Sequence, residues 1–308
     1  MELINSSQAN FEDLKNNSFD VFITSCGYDW RSIHLLKQIN ITCSKKIAFQ
    51  NGNQYNPLIK DYLVQNGFFI YDIDSNSITD FNKIYTNLYC NNPKFDYKII
   101  IDYSSMPQAV YGGFIHFLTC LETEIKNFTI YFSFTQGNYL QTNLHLHESS
   151  PSSIFSDISG NNNKKKALIL GVNQNELDTK RIIDYFKPEQ CFLFLPKQPF
   201  EEKLYKKVVE MHQSFKNKIS QCQIFSYLID NIGEIDRELT CICHKLRLDH
   251  KIILMSMGPE SFSLASYLLY SRYPDIDIWH TMPSKSELKP IDIPIIQKTV
   301  FTSEGDDY

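Results

Sequence analysis

Two loops of this chain concentrate side chains able to bind or transform a small polar ligand. The first reads Thr24-Ser25-Cys26-Gly27-Tyr28-Asp29-Trp30-Arg31 and the second Asp102-Tyr103-Ser104-Ser105-Met106-Pro107-Gln108. Ser105 can cap a following helix, and Pro107 suits that helix's first turn, where a missing N–H has no partner to lose. The open N–H groups and positive dipole end of such a helix start favour an anionic group such as phosphate. Gly27 lets backbone approach a ligand closely, and Arg31 offers a planar fork of donors. Further on, Gln136 and Tyr139 add an amide and an aromatic face for a base. The candidate binding residues here are therefore Ser25, Gly27, Tyr28, Arg31, Asp102, Ser104, Ser105, Gln136 and Tyr139. For catalysis rather than binding, Asp102 is the candidate general base, with Cys26 or Ser104 as nucleophile. The same features also start helices in α/β proteins that bind nothing there, and Cys26 reads more simply as a small buried residue at a strand end.

These loops acquire a common location from the elements around them. Short apolar runs at Val21–Thr24, Lys46–Gln50, Phe68–Asp72, Lys98–Asp102 and Phe128–Phe134 read as strands buried on both faces of a parallel sheet. Between them, Asp29–Gln38, Asn56–Asn66, Ile78–Cys90 and Gln108–Glu124 carry helical spacing, as at Ile33, Leu36 and Lys37. The layout then repeats with little residue identity. Its strands are Ala167–Gly171, Cys191–Leu195, Gln223–Tyr227, Lys251–Met255 and Ile276–His280, and its helices Leu177–Phe186, Phe200–Phe215, Ile232–Leu248 and Ser261–Arg272. Right-handed crossovers put helices on both faces of each sheet. The predicted fold is α/β, two tandem Rossmann-like doubly wound parallel-sheet domains over residues 1–147 and 167–282. A Ser/Asn/Gly-rich linker over 148–166 joins them, and an extended surface tail covers 283–308, where Pro283, Pro290 and Pro294 are spaced apart. In such sheets ligands bind beyond the carboxyl ends of the strands where the winding reverses, here between strands one and four, which is where both loops lie.

The second half offers Gly171-Val172-Asn173 after its first strand and Met257-Gly258-Pro259-Glu260-Ser261 after its fourth. Gly258 and Ser261 join the binding candidates, although Glu260 opposes an anion and fits better as a complement to the helix dipole. His280 at the end of the fifth strand reads as structural.

The chain of 308 residues has 43% apolar composition and a formal net charge of −5. That allows two cores of ordinary size and gives no basic track for long nucleic acid, Lys164–Lys166 being the only run. The N-terminal segment lacks the pattern of a secretory signal and no apolar stretch is long enough to span a bilayer, so a cytoplasmic protein that does not engage membranes is expected. Eight scattered cysteines then read as reduced thiols. No G-x-G-x-x-G or Walker-type motif occurs, which disfavours ordinary hydride transfer and ATP hydrolysis. Cys241-Ile242-Cys243-His244 falls in a helix where neighbours point apart, and His145-Leu146-His147 lacks a third ligand, so neither makes a metal site. No cofactor and no metal are expected.

In their double layout and loop character, these residues resemble the Rossmann-type CARF and SAVED sensor domains of bacterial antiphage immunity, SAVED domains being similar to two CARF-like units in one chain. The resemblance spans roughly residues 19–282 and rests on Ser25-Cys26-Gly27, Asp102-Tyr103-Ser104-Ser105-Met106 and Gly258-Pro259-Glu260-Ser261. It implies a small nucleotide or cyclic oligonucleotide ligand, a change in the arrangement of the two halves on binding, and a protein effector partner or homo-oligomer, since no effector domain is present. Asp20-Val21-Phe22-Ile23-Thr24 with Asp29 and Arg31 is also similar to the opening of TIR domains, some of which cleave NAD. The stretch Ser104–Gln108 lacks the glutamate that this chemistry needs. The alternatives are a nucleotide-processing enzyme (NAD-cleaving, nucleosidase or phosphodiesterase) and a non-catalytic scaffold subunit.

Overall fold

The computed structural model describes residues 1–52, 55–73, 81, 82, 84–86, 94–137, 151–153, 164–173, 175–197, 205, 206, 209, 210, 213, 215, 222–280, 290 and 294–303. Tyr139, His145 and His147 lie outside the described residues, as do parts of the helices expected over 78–90 and 200–215. The chain forms two compact units, Met1–Asn143 with Lys285–Tyr308, and Leu144–Ser284.

The first unit contains β1 (Glu2–Ala9), β2 (Phe19–Ser25), β3 (Cys43–Gln50), β4 (Phe69–Asp72), β5 (Asp96–Asp102), β6 (Asn127–Phe134) and, from the far end of the chain, β13 (Ile295–Thr302). They order as β1-β13-β6-β5-β2-β3-β4. The run from β6 to β4 is parallel and doubly wound, and β2 lies beside β5, with Val21, Phe22 and Ile23 in register with Ile99, Ile100 and Ile101. That pairing is the expected reversal between the first and fourth strands of the repeat. Helices α1 (Phe11–Asn16), α2 (His34–Gln38) and α3 (Pro57–Gln65) cover one face through Leu14, Leu35, Ile59 and Leu63, packed on Phe22, Ala48 and Ile100. The other face carries α4 (Gln108–Cys120), whose Phe114 and Phe117 meet Phe81, itself edge-on to Phe49 of β3. The first expected helix opens instead as a 3-10 turn, Trp30–Ile33. The tighter winding makes Ile33 and Leu35 the fully buried pair, not Ile33 and Leu36.

The expected surface tail is corrected. Its three prolines all precede Ile295, and the residues beyond are mostly β-branched, so nothing prevents a full strand ladder. β13 inserts antiparallel between β6 and β1, pairing Ile295 to Thr302 with Phe134 to Asn127 on one side and Ile296 to Thr302 with Ala9 to Glu2 on the other. Gln297 and Phe301 are fully buried, and Gln297 Nε2 donates to Ser6 Oγ at 2.7 Å.

The second unit orders as β10-β9-β8-β11-β12-β7, with β8 (Lys165–Gly171), β9 (Gln190–Lys197), β10 (Cys222–Leu228), β11 (His250–Ser256) and β12 (Asp277–His280) all parallel. The expected linker contributes β7 (Ser152–Ser153), a short antiparallel guard on β12. Helix α5 (Glu176–Phe186) packs Ile182, Ile183 and Phe186 on Leu168, Leu170 and Leu193. Helices α6 (Ile232–Leu246) and α7 (Glu260–Arg272) complete the unit, and within α6 Cys243 is buried while Cys241 is exposed, as expected of one helix with divergent neighbours. The strand order again places the first and fourth parallel strands, β8 and β11, side by side. No helix among the described residues is long and apolar enough to cross a membrane.

Placing Phe301 inside the sheet has a direct consequence for stability. Phe301→Ala should destabilise the protein by about 3–5 kcal/mol in denaturant unfolding, the range for a large buried ring, whereas a residue on a frayed tail would change it by nothing measurable.

Candidate functional site

In the first unit, the β2 and β5 loops come into close contact at Gly27 and Ser105. A Cβ built on Gly27 would lie 2.6 Å from the carbonyl oxygen and 2.6 Å from the Cβ of Ser105. Gly27 therefore admits the close approach of Ser105. A 3.1 Å bond from Met106 N–H to the Tyr103 carbonyl turns the β5 loop, and Pro107 becomes the N-cap of α4 with no side chain capping it. Ser105 lies two residues before that cap, so the capping role expected of it is not realised. Asn56 at the start of α3 clasps the same β2 loop: its N–H donates to the Cys26 and Gly27 carbonyls at 3.2 Å, and its Nδ2 to the Tyr28 carbonyl at 3.3 Å.

Between these loops lies a cleft lined by Ser25, Cys26, Gly27, Tyr28, Phe49, Asn51, Ile73, Ser105, Pro107 and Val110. Its cavity volume is about 30 Å³, room for about two waters or the oxygens of one anionic group, but not for a base. Ser25 is 2% exposed and its hydroxyl has no hydrogen-bond partner among the described residues. An unpaired buried hydroxyl costs roughly 1–3 kcal/mol, which a ligand atom or water could offset.

The remaining predicted residues of this unit are engaged elsewhere. Arg31 does not present its fork to solvent. Asp29 caps the 3-10 turn by accepting from the Arg31 N–H at 3.0 Å, and the same carboxylate takes Arg31 Nε and Nη2 at 3.0 Å each, in a pair whose side chains are both 4% exposed. Removing one partner of such a buried pair costs about 3–5 kcal/mol through the charge left behind, so Arg31 reads as structural and not as a ligand contact. Asp102 and Ser104 are fully buried and form no part of the cleft lining. Ser104 donates its hydroxyl and, at 3.2 Å, its N–H to Asp102 Oδ1, and its hydroxyl oxygen accepts from the Thr135 N–H at 2.8 Å, tying the ends of β5 and β6 together. Gln136 is half-buried and outside the cleft lining.

Electrostatics agree with a structural role for the reactive candidates. Burial raises the Cys26 thiol to about 11 against the attraction of Lys60, so at neutral pH it is protonated and a poor nucleophile. Burial likewise raises the Asp102 carboxyl to about 7, opposed by the Ser104 hydrogen bonds and by Arg31 and reinforced by Asp29. Sequence reasoning missed Lys60, Asn51 and Asn56. Lys60 stands one turn into α3 with its ammonium 5.0 Å from the Tyr55 ring centroid and no ion-pair partner among the described residues. Its proximity to the loop follows from the Asn56-Pro57 helix start, a cap signal visible in the sequence.

The corresponding rim of the second unit is closely packed around its two glycines. A Cβ on Gly171 would overlap the Phe262 ring, lying 2.7 Å from its Cε1 and closer still to its Cδ1, and one on Gly258 would sit 2.7 Å from the Val172 carbonyl oxygen. Gly258 thus serves packing, while Ser261, at the start of α7, is fully buried with a hydroxyl that has no hydrogen-bond partner among the described residues, and Glu260 occupies the first turn, where its charge suits the dipole. A larger cavity in this unit, about 190 Å³, lies against the edge strand β10 and touches none of the predicted loops. His280 pairs through its backbone with Ser152, and burial lowers its imidazole below the ordinary range. No group of three or more metal ligands occurs among the described residues.

A raised carboxyl gives a signed prediction. The folded state holds a proton on Asp102 that the unfolded chain, near pH 4, has already released, so this group's contribution to stability is largest below pH 4 and is lost as pH rises to about 7. Asp102→Asn should match the parent near pH 4 and exceed it by a few kcal/mol at pH 8, read from urea unfolding across that range.

No family model matches the chain, and no curated protein matches it. Among solved structures, a functionally unknown protein (PA1789) from Pseudomonas aeruginosa PAO1 is 10% identical with a TM-score of 0.26, over 85% of this chain and 92% of its own. A putative universal stress protein from Pseudomonas aeruginosa UCBPP-PA14 is 9% identical with a TM-score of 0.25, over 86% of this chain and 94% of its own. Likenesses of that strength carry no functional argument. What the chain's own strand order establishes is an α/β protein of two Rossmann-like units.

Proposed function

We propose that the first unit is a binding module for a small phosphate-bearing ligand of nucleotide type, and that the chain acts as a non-catalytic sensor or regulatory subunit through a partner effector. The observation that carries this reading is the unpartnered, buried Ser25 hydroxyl in a cleft at the uncapped start of α4. An oxygen of an anionic ligand satisfies that hydroxyl and meets the positive end of the helix dipole, with Lys60 supplying net charge nearby. The cleft admits only one small group, so the rest of the ligand would lie outside it. The likeness to CARF and SAVED domains makes cyclic oligonucleotides of antiphage signalling the first class to try.

The enzymatic reading draws less support. Cys26 is held protonated, Ser104 is engaged on both its donor and acceptor sides, and Asp102 is sealed from solvent. None of the three presents a reactive atom ready for attack.

Titration calorimetry against a panel of cyclic and linear oligonucleotides tests the proposal. Binding should weaken at least about tenfold, or 1.4 kcal/mol, in Asn51→Asp, which places a like charge at the cleft without touching the core. Ser25→Ala should also lose affinity while matching or exceeding the parent in thermal stability, because the hydroxyl it removes has no partner in the free protein. A folded protein that binds no member of the panel, or binds one equally well in both variants, would overturn the assignment.

A further inference from the structure

Away from the switch point, two thiols occupy matching positions in the second unit. Cys191 of β9 and Cys222 of β10 are register partners on neighbouring parallel strands. Both pack in the apolar cluster under α5, so they project from the same face of the sheet. Adjacent strands lie about 4.8 Å apart, inside the roughly 4.4–6.8 Å Cα separation that a disulfide spans. Cys222 is also the leading influence on the Cys191 thiol, as expected of two sulfurs side by side. Cys191 is fully buried, whereas Cys222 opens the sheet's edge strand and is half-exposed.

We propose that Cys191 and Cys222 form a dithiol site that closes to a disulfide in the presence of a small disulfide oxidant, pinning the edge strand β10 to β9. Exchange begins at Cys222, the member a reagent can reach. Its thiolate, having given its proton to solvent, bonds to one sulfur of the oxidant, and the oxidant's S–S bond breaks with its electron pair leaving on the other half, which takes up a proton. Cys191 then loses its proton and attacks Cys222 Sγ, expelling the second half as a thiol. Two protein thiols are oxidised to one disulfide while one small disulfide is reduced to two thiols. The neighbouring Cys222 thiol and then burial keep the Cys191 thiol well above its ordinary range, which makes it the resolving and not the attacking sulfur. The bond would close the chain excursion over 192–221, which carries Tyr205, Val209 and Gln213 of the cavity beside β10.

The test treats the full chain with oxidised glutathione, alkylates the remaining thiols and maps them by peptide mass spectrometry. A Cys191–Cys222 crosslinked peptide is expected, with a thermal midpoint several degrees higher that returns to the starting value on reduction. Cys222→Ser should abolish both effects. Cys191→Ala should stop at a glutathione adduct on Cys222, a readout that does not depend on the crosslink forming. Failure of Cys222 to react in either background while the exposed Cys120 and Cys241 are modified would overturn the proposal, as would a stable Cys222 adduct beside a free Cys191 in the parent.

Discussion

The contact between Gly27 and Ser105 governs the geometry of the first unit's rim. With no Cβ at position 27, the loop after β2 lies directly against the loop after β5, and the start of α4 comes within reach of Ser25. Any larger residue would drive the loops apart by displacing backbone, since the Ser105 carbonyl is among the atoms it would meet. Everything functional that the rim can offer descends from this apposition: a cavity of one or two waters, a helix start with no side-chain cap, and a serine hydroxyl with nothing to bond.

Beneath that surface the polar residues are committed to each other. Asp29 and Arg31 neutralise one another, and Ser104 bridges Asp102 to the backbone of Thr135. Such a network fixes loop conformation through Asp102 Oδ1 and the Ser104 hydroxyl, while Asp102 Oδ2 stays buried without a partner among the described residues. The two units diverge on this point. In the second, Phe262 packs against Gly171 and the Val172 carbonyl against Gly258, so the same strand order brings its loops together through one aromatic and one backbone contact. One strand order thus carries two differently packed switch points among the described residues, a cleft beside Ser25 in the first unit and close packing around Gly171 and Gly258 in the second.

The parallel strands and their order were legible because buried parallel strands are written as continuous apolar runs, from Val21–Thr24 through Lys251–Met255. β1 and β13 were not. Glu2–Ala9 is an edge strand with mostly exposed, polar residues, and Ile295–Thr302 joins its sheet only after a whole second unit intervenes, so no local pattern announces its neighbours. At the site, the loops were foreseen but the roles within them were not. Arg31 reads as a ligand donor until the 3-10 turn folds it back on Asp29, a pairing at i and i+2 that helical spacing would not bring together. For Lys60, the Asn56-Pro57 cap that starts its helix is visible in the sequence, but the bonds from Asn56 to the Cys26 and Gly27 carbonyls that bring it near Cys26 are tertiary.

The central claim is that anion recognition occurs at the start of α4 and not among the buried charges or in the second unit. Following backbone amide resonances by NMR while titrating a cyclic oligonucleotide tests it residue by residue. Shifts concentrated in residues 25–28, at Asn51 and over 105–109, with those of 171–173 and 257–261 unmoved, are the predicted result. Saturable shifts centred on 171–173 and 257–261, or on the β10 cavity, with the first cluster silent, would contradict it.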